Sequence, residues 1–115
     1  MKDSDRERIR DMEMVLGAAL AAAKPDAHLS WKSLFGGAAF YAGGMIFAAW
    51  FGDGLALKLP ESARDELMNI EGATKPWAKE YVEVPPVFAD DPGLLEDWVA
   101  QAVDYAAATK KRKRK

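Results

Sequence analysis

The sequence contains no cysteine and a single histidine, His28, and these two scarcities exclude much of enzyme chemistry. Without cysteine there is no disulfide, no thiolate metal site and no cysteine nucleophile. A zinc site would need several carboxylates around His28, which is an uncommon ligand set. The sequence also has no phosphate-binding loop, dinucleotide-binding fingerprint or serine nucleophile elbow. We therefore expect no catalytic residue, no metal and no cofactor.

Long hydrophobic runs are also missing. The first 13 residues carry charges of both signs, and the alanine-rich run that follows them, residues 17–23, is short. A secretory signal needs a stronger apolar region, and a membrane-spanning helix needs about 20 apolar residues. The sequence therefore predicts a soluble cytoplasmic protein with no membrane contact.

Charge is distributed unevenly along the chain. The whole sequence has 16 basic and 18 acidic side chains, and its last six residues are all basic. Removing those six leaves 10 basic against 18 acidic side chains, so residues 1–109 carry −8 and the tail carries +6. We predict one domain over 1–109 and a disordered basic tail made of Lys110, Lys111, Arg112, Lys113, Arg114 and Lys115. The tail either keeps the chain soluble or binds nucleic acid weakly and without sequence preference.

Three helices are predicted from apolar residues spaced three and four apart. The first covers 4–23 and ends before Pro25, because the residue preceding a proline avoids the helical region. The second covers about 60–70. The third begins at Pro92 after an Asp91 cap and ends near Ala107.

Strands are predicted at about 31–42, 44–51, 54–59 and 80–84, with 73–79 irregular or a short edge strand. Gly43-Gly44 and residues 52–54 indicate hairpin turns, since glycine readily adopts the positive φ that such turns require. Gly36-Gly37 is interpreted as a bulge within the first strand. The resulting order is α-β-β-β-α-β-β-α, a two-layer α+β domain with a five-stranded antiparallel sheet. We expect one core containing Leu16, Phe47, Leu57, Leu59, Leu67 and Trp98.

Lys58 interrupts an apolar strand in which Leu55, Leu57 and Leu59 alternate towards the core. Strict alternation also places Ile46, Ala48 and Trp50 on one face of the preceding strand, which makes both of its faces apolar. Such a second face is either covered by another segment or forms an interface. Lys58 itself is either a surface lysine with a packed stem or a contact for a ligand or partner on the face that carries Trp50.

Several short motifs together resemble the N-terminal domain of the TfoX/Sxy family. They are Leu-Phe-Gly-Gly at 34–37, Tyr-Ala-Gly-Gly-Met-Ile-Phe-Ala at 41–48, Leu-Lys-Leu-Pro at 57–60 and Glu-Tyr-Val-Glu-Val-Pro at 80–85. The final helix repeats the family pattern at Leu95, Trp98 and Ala102. Leu34 stands where the family usually has methionine.

The resemblance covers roughly 5–107 and implies an α+β fold similar to that of type III secretion chaperones. Full-length relatives regulate natural competence and carry a further C-terminal domain that this chain is expected to lack. We expect a non-enzymatic regulatory or protein-binding module that is a monomer or homodimer. The alternatives are a nucleic-acid-associated accessory protein that uses the tail, and a small-ligand binder or uncharacterised enzyme. The predicted binding residues are Phe35, Gly36, Gly37, Tyr41, Trp50 and Lys58.

Overall fold

The computed structural model describes residues 3–34 and 36–113. In chain order its elements are α1 (Asp3–Ala23), β1 (Leu29–Leu34), β2 (Gly37–Ala42), β3 (Met45–Trp50), β4 (Leu55–Lys58), α2 (Glu61–Met68), β5 (Tyr81–Glu83), a 3-10 helix (Pro86–Asp90) and α3 (Pro92–Lys113). The five strands form one antiparallel sheet in the order β1-β2-β3-β4-β5. The predicted α+β class, the five antiparallel strands and the three α-helices are confirmed.

The strands are distributed along the chain differently from the prediction. The segment 31–42 is two strands rather than one, because Gly36, with φ +81°, lies in a turn that pairs Leu34 with Gly37. The interpretation of Gly36-Gly37 as a bulge is therefore wrong. Residues 73–79 contain no strand, and Thr74 makes an isolated bridge to Glu83. The order becomes α-β-β-β-β-α-β-α.

A bulge does occur, one hairpin further along the chain. Phe40 pairs with Ala48 and Tyr41 pairs with Ile46, which leaves Phe47 without a partner in β2. The extra residue turns Phe47 and Ala48 to the same side of the sheet. The prediction that Trp50 and Phe47 lie on opposite faces of β3 is therefore wrong, because strict alternation ends at the bulge.

One side of the sheet, here called the helix face, is covered by α1 and α3, which also pack against each other. Lys24, just after α1, forms a 2.7 Å salt bridge with Asp104 of α3. The core contains five of the six predicted residues fully buried, and each such side chain contributes about 1.5–3 kcal/mol. The sixth, Trp98, is half-buried and packs against this core from α3.

The start of α3 is set as predicted. The Asp91 carboxylate accepts a 2.9 Å hydrogen bond from the backbone N–H of Gly93, and Pro92 is the first helical residue. The helix continues to Lys113, so the predicted end near Ala107 is wrong. The predicted basic tail thus begins inside α3, and Arg114 and Lys115 lie outside the described residues.

Candidate functional site: the outer face of the sheet

The outer face is the side of the sheet opposite α1 and α3. Alternation along the strands identifies the side chains on this face. Leu57 of β4 points into the core, so Ala56 and Lys58 point to the outer face, and so do the residues that pair with them in register. Its principal side chains are Lys32, Ala39, Tyr41, Ala49, Phe51, Ala56, Lys58 and Tyr81.

A row of small residues crosses the middle of this face. Ala39, Ala49 and Ala56 are successive register partners, and the row ends at Lys32 on one side and Glu83 on the other. The three alanines are at most 1 % exposed. Because the methyl group of alanine leaves free space above the sheet, larger side chains from neighbouring rows can pack over the three alanines.

Three aromatic side chains form a cluster at the β5 end of the outer face. The Phe51 ring centroid lies 5.1 Å from that of Trp77 and 5.4 Å from that of Tyr81, in tilted and edge-on geometry. Both distances and angles are favourable for aromatic pairs. Trp77 is nevertheless 75 % exposed, so the cluster presents a large apolar surface to solvent.

Charged groups of the outer face lie both beside these rings and on the opposite side of the face. Lys58 pairs in register with Tyr81 and lies 3.7 Å from the carboxylate of Glu80, with only 15 % of its side chain exposed. Burial, then the charge of Glu80 and then Tyr41 raise the pKa of Tyr81 to about 12. On the opposite side, the Lys32 ammonium lies 5.7 Å from the centroid of the Tyr41 ring, a cation–π contact.

The segment that carries Trp77 is held in place by backbone and side-chain hydrogen bonds. Thr74 exchanges two backbone bonds with Glu83, at 3.1 and 2.8 Å. The Lys75 ammonium donates to the carbonyl oxygens of Lys79 and Tyr81, at 2.5 and 2.8 Å. Burial and the nearby Arg64 lower the pKa of Lys75. Trp77 is therefore exposed on an anchored segment.

The structure brings some of the predicted binding residues together and separates others. Tyr41 and Lys58 both lie on the outer face. Gly36 is in the exposed β1–β2 turn, and Phe35 lies outside the described residues. Gly37 is buried, and a Cβ there would collide with the carbonyl oxygen of Trp50, so this glycine serves close backbone packing.

Trp50 does not share a face with Lys58, contrary to the prediction. It is 3 % exposed, pairs with Leu55 and belongs to the core of the helix face. Its indole N–H donates a 3.4 Å hydrogen bond to the carbonyl oxygen of Asp53. Trp50 therefore packs in the core, and the aromatic surface near Lys58 is supplied by other residues.

Sequence reasoning missed Phe51, Trp77 and Tyr81 as members of one site. The alternation of Tyr81 with Val82 and Val84 is the signal that could have placed Tyr81 on the side opposite the core. Nothing in the sequence indicated that Trp77 and Tyr81 meet Phe51, which is 26 residues before Trp77.

A separate cleft of about 700 Å³ opens beside the β3–β4 turn, between that turn, α1 and the 3-10 helix, and it extends to Glu83 at the end of the alanine row. Trp50, Leu55 and Met12 supply part of its apolar lining. Six charged residues also line it: Glu7, Arg8, Asp11, Asp53, Glu83 and Asp90. The Arg8 guanidinium donates a 3.3 Å bond to the carbonyl oxygen of Asp53. The cleft contains one cationic side chain among five acidic ones, so an anionic ligand would be disfavoured there.

Two further properties concern the described residues as a group. No three of their histidine, aspartate and glutamate side chains come together as a metal site. None of the helices within 3–34 and 36–113 combines the length and apolar character needed to cross a bilayer.

Comparison with known proteins gives one match. The family model for the TfoX N-terminal domain matches residues 18–106. No curated protein and no solved structure matches the chain. The matched range begins within α1 and ends within α3, so it includes every strand and the whole outer face.

Proposed function

The chain belongs to the TfoX N-terminal domain family, and from this premise we propose that it is a non-enzymatic regulatory module that binds a protein partner through the outer face. The observation that carries the proposal is the Phe51–Trp77–Tyr81 cluster, which leaves Trp77 75 % exposed on an anchored segment.

An exposed aromatic side chain leaves apolar surface in contact with water when no partner is bound, and burying that surface against a partner contributes to the binding free energy. Tryptophan and tyrosine are enriched among the residues that dominate protein–protein binding energy, because they bury a large area with few rotatable bonds. Trp77 is already packed on one side by Phe51, so little side-chain freedom remains to be lost on binding. These properties support a role for Trp77 as the central contact.

The polar groups around the cluster support a partner of mixed character. Lys58 is joined to Glu80 and stays largely covered, whereas Lys32 is exposed beyond Tyr41. The surface therefore presents an aromatic cluster at its β5 end and an exposed cation, Lys32, at its β1 end. It fits a protein surface with apolar side chains and a neighbouring carboxylate.

The test compares two exposed apolar residues on different surfaces. Full-length chain, Trp77→Ala and Val87→Ala are used as baits in native lysate treated with nuclease. Val87 is the matched control, because it is 62 % exposed and lies on the 3-10 helix. Proteins retained by the wild-type chain and by Val87→Ala should be lost with Trp77→Ala. Identical retention by all three baits would contradict the proposal.

A further inference from the structure

The outer edge of β1 carries a defined set of unpaired backbone groups. The Gly43-Gly44 turn, with φ values of +59° and +81°, closes a two-residue hairpin in which Ala42 and Met45 are hydrogen-bonded to each other. Bonding direction alternates along a strand, so Tyr41, Ala39 and Gly37 bond towards β1. Their partners Ser30, Lys32 and Leu34 therefore bond inwards, and Leu29, Trp31 and Ser33 direct their N–H and C=O groups outwards.

The β1–β2 hairpin gives the same result independently. Two residues separate Leu34 from Gly37, and the closing pair of a two-residue hairpin is hydrogen-bonded. Leu34 thus bonds inwards, which again leaves the odd-numbered residues of β1 facing outwards. Within the described part of the chain, no backbone or side-chain group bonds to these outward groups.

The opposite edge of the sheet is protected in ways that β1 is not. The three-residue strand β5 has its outward Glu83 groups bonded to Thr74, and the Tyr81 carbonyl accepts from Lys75. By contrast, β1 has six residues, Leu-Ser-Trp-Lys-Ser-Leu, without proline or glycine. Its one charge, Lys32, is directed onto Tyr41 of its own sheet. Proteins normally shield an edge strand by keeping it short or by bonding other groups to it, as at β5, because a bare edge pairs with other strands.

We propose that β1 pairs antiparallel with β1 of a second copy, with Trp31 opposite Trp31 and Leu29 opposite Ser33. This register joins all six outward groups of each copy, giving six intermolecular hydrogen bonds. Its two-fold axis is perpendicular to the sheet, so the helix faces of both copies lie on the same side.

Neighbouring registers are less favourable. Centring the pair on Lys32 places two ammonium groups directly opposite each other and leaves Leu29 without a β1 partner. Centring it on Ser30 leaves Ser33 unpaired. Each of these registers retains four of the six bonds. A shift by one residue would place the outward-bonding residues of one copy opposite residues of the other that already bond to β2, so no regular ladder would form.

The first experiment measures mass by sedimentation velocity over a concentration series. Ser33→Pro removes one outward N–H and leaves the bonds to β2 intact, whereas Ser33→Ala retains the N–H and is the matched control. The wild-type chain and Ser33→Ala should dimerise, and Ser33→Pro should remain a folded monomer by circular dichroism. A wild-type chain that is monomeric at its highest soluble concentration, or a folded Ser33→Pro dimer, overturns the proposal.

The second experiment tests the register and does not depend on the folding of the proline variant. The proposed register places Ser30 opposite Lys32 of the second copy as a non-hydrogen-bonded pair, whose spacing suits a disulfide. Because the chain has no cysteine, the single variants Ser30→Cys and Lys32→Cys can each be oxidised alone and can also be oxidised after they have been mixed. The yield of the mixed disulfide should exceed the yield of either homodisulfide several-fold. The disulfide yield of Lys79→Cys measures how much forms by random collision. Homodisulfides that form as readily as the mixed species overturn the register.

Discussion

The two faces of the sheet are built from the same strands and are covered to different extents. The helix face is closed by α1 and α3 and contains Phe47 and Trp50 at 0 % and 3 % exposure. The outer face keeps Tyr41 and Tyr81 only partly covered and ends in the exposed Trp77. Both faces are apolar, so apolar character alone does not tell a core from a binding surface. The difference is whether another element of the chain covers the residues.

Adjacent residues of β4 provide the sharpest comparison and the largest expected effect. Leu57→Ala should lower the free energy of unfolding by about 2–5 kcal/mol, because it leaves a cavity under α3. Lys58→Ala, on the outer face, should cost less, about 1 kcal/mol, because its 3.7 Å ion pair with Glu80 is long and the Glu80 side chain is 40 % exposed. Urea unfolding of both variants measures the difference. Equal losses would mean that the outer face is as structural as the helix face.

The second prediction uses the ionisation of Tyr81. Its pKa is about 12 in the folded chain against 10.0 ordinarily, so the folded state retains a proton that the unfolded state releases. The resulting stabilisation is complete below pH 10 and is lost as the pH rises through 12. Tyr81→Phe, which has no such proton, should lose less stability than the wild-type chain over this range. Tyr105→Phe on α3 is the control, and alkaline unfolding curves that match among all three chains would contradict the assignment.

The smallest expected effect on stability comes from removing Lys110 to Lys115. Ending the chain at residue 109 should change the free energy of unfolding by less than about 0.5 kcal/mol, because the apolar stripe of α3 ends before this point. Any nucleic-acid binding should disappear with the tail and should fall steeply with salt in the full chain. Thermal melts and gel shifts of both chains measure these effects. Binding that persists at moderate salt after truncation would place a nucleic-acid site on residues 1–109.

The parts of this fold that could be predicted from sequence are those with a local cause. The stripe of α1, the Asp91 cap, the Gly43-Gly44 turn and the alternation at 55–59 each depend on neighbouring residues. The bulge at Phe47 has no such signal, because Ile46, Phe47 and Ala48 are all apolar and any of them could face the core. That single residue decided which face receives Trp50.

The outer face was only partly predictable for a related reason. Lys58 and Tyr41 were identified from alternation and from the family resemblance. The contact of Phe51 with Trp77 and Tyr81 depends on how the segment after α2 returns to the sheet, which the local sequence does not encode. The anchoring bonds from Lys75 to backbone carbonyls are likewise visible only in the folded chain.

The most direct test of the outer face as a protein-binding surface is site-specific photo-cross-linking in the native cell. A photoreactive phenylalanine analogue replaces Tyr41 on the outer face in one chain and Leu94 on α3 in another. Leu94 is a suitable control because it is 43 % exposed and lies on a different surface. We predict a discrete cross-linked protein from position 41 and none from position 94. Equal cross-linking from both positions, or from position 94 alone, would contradict the account.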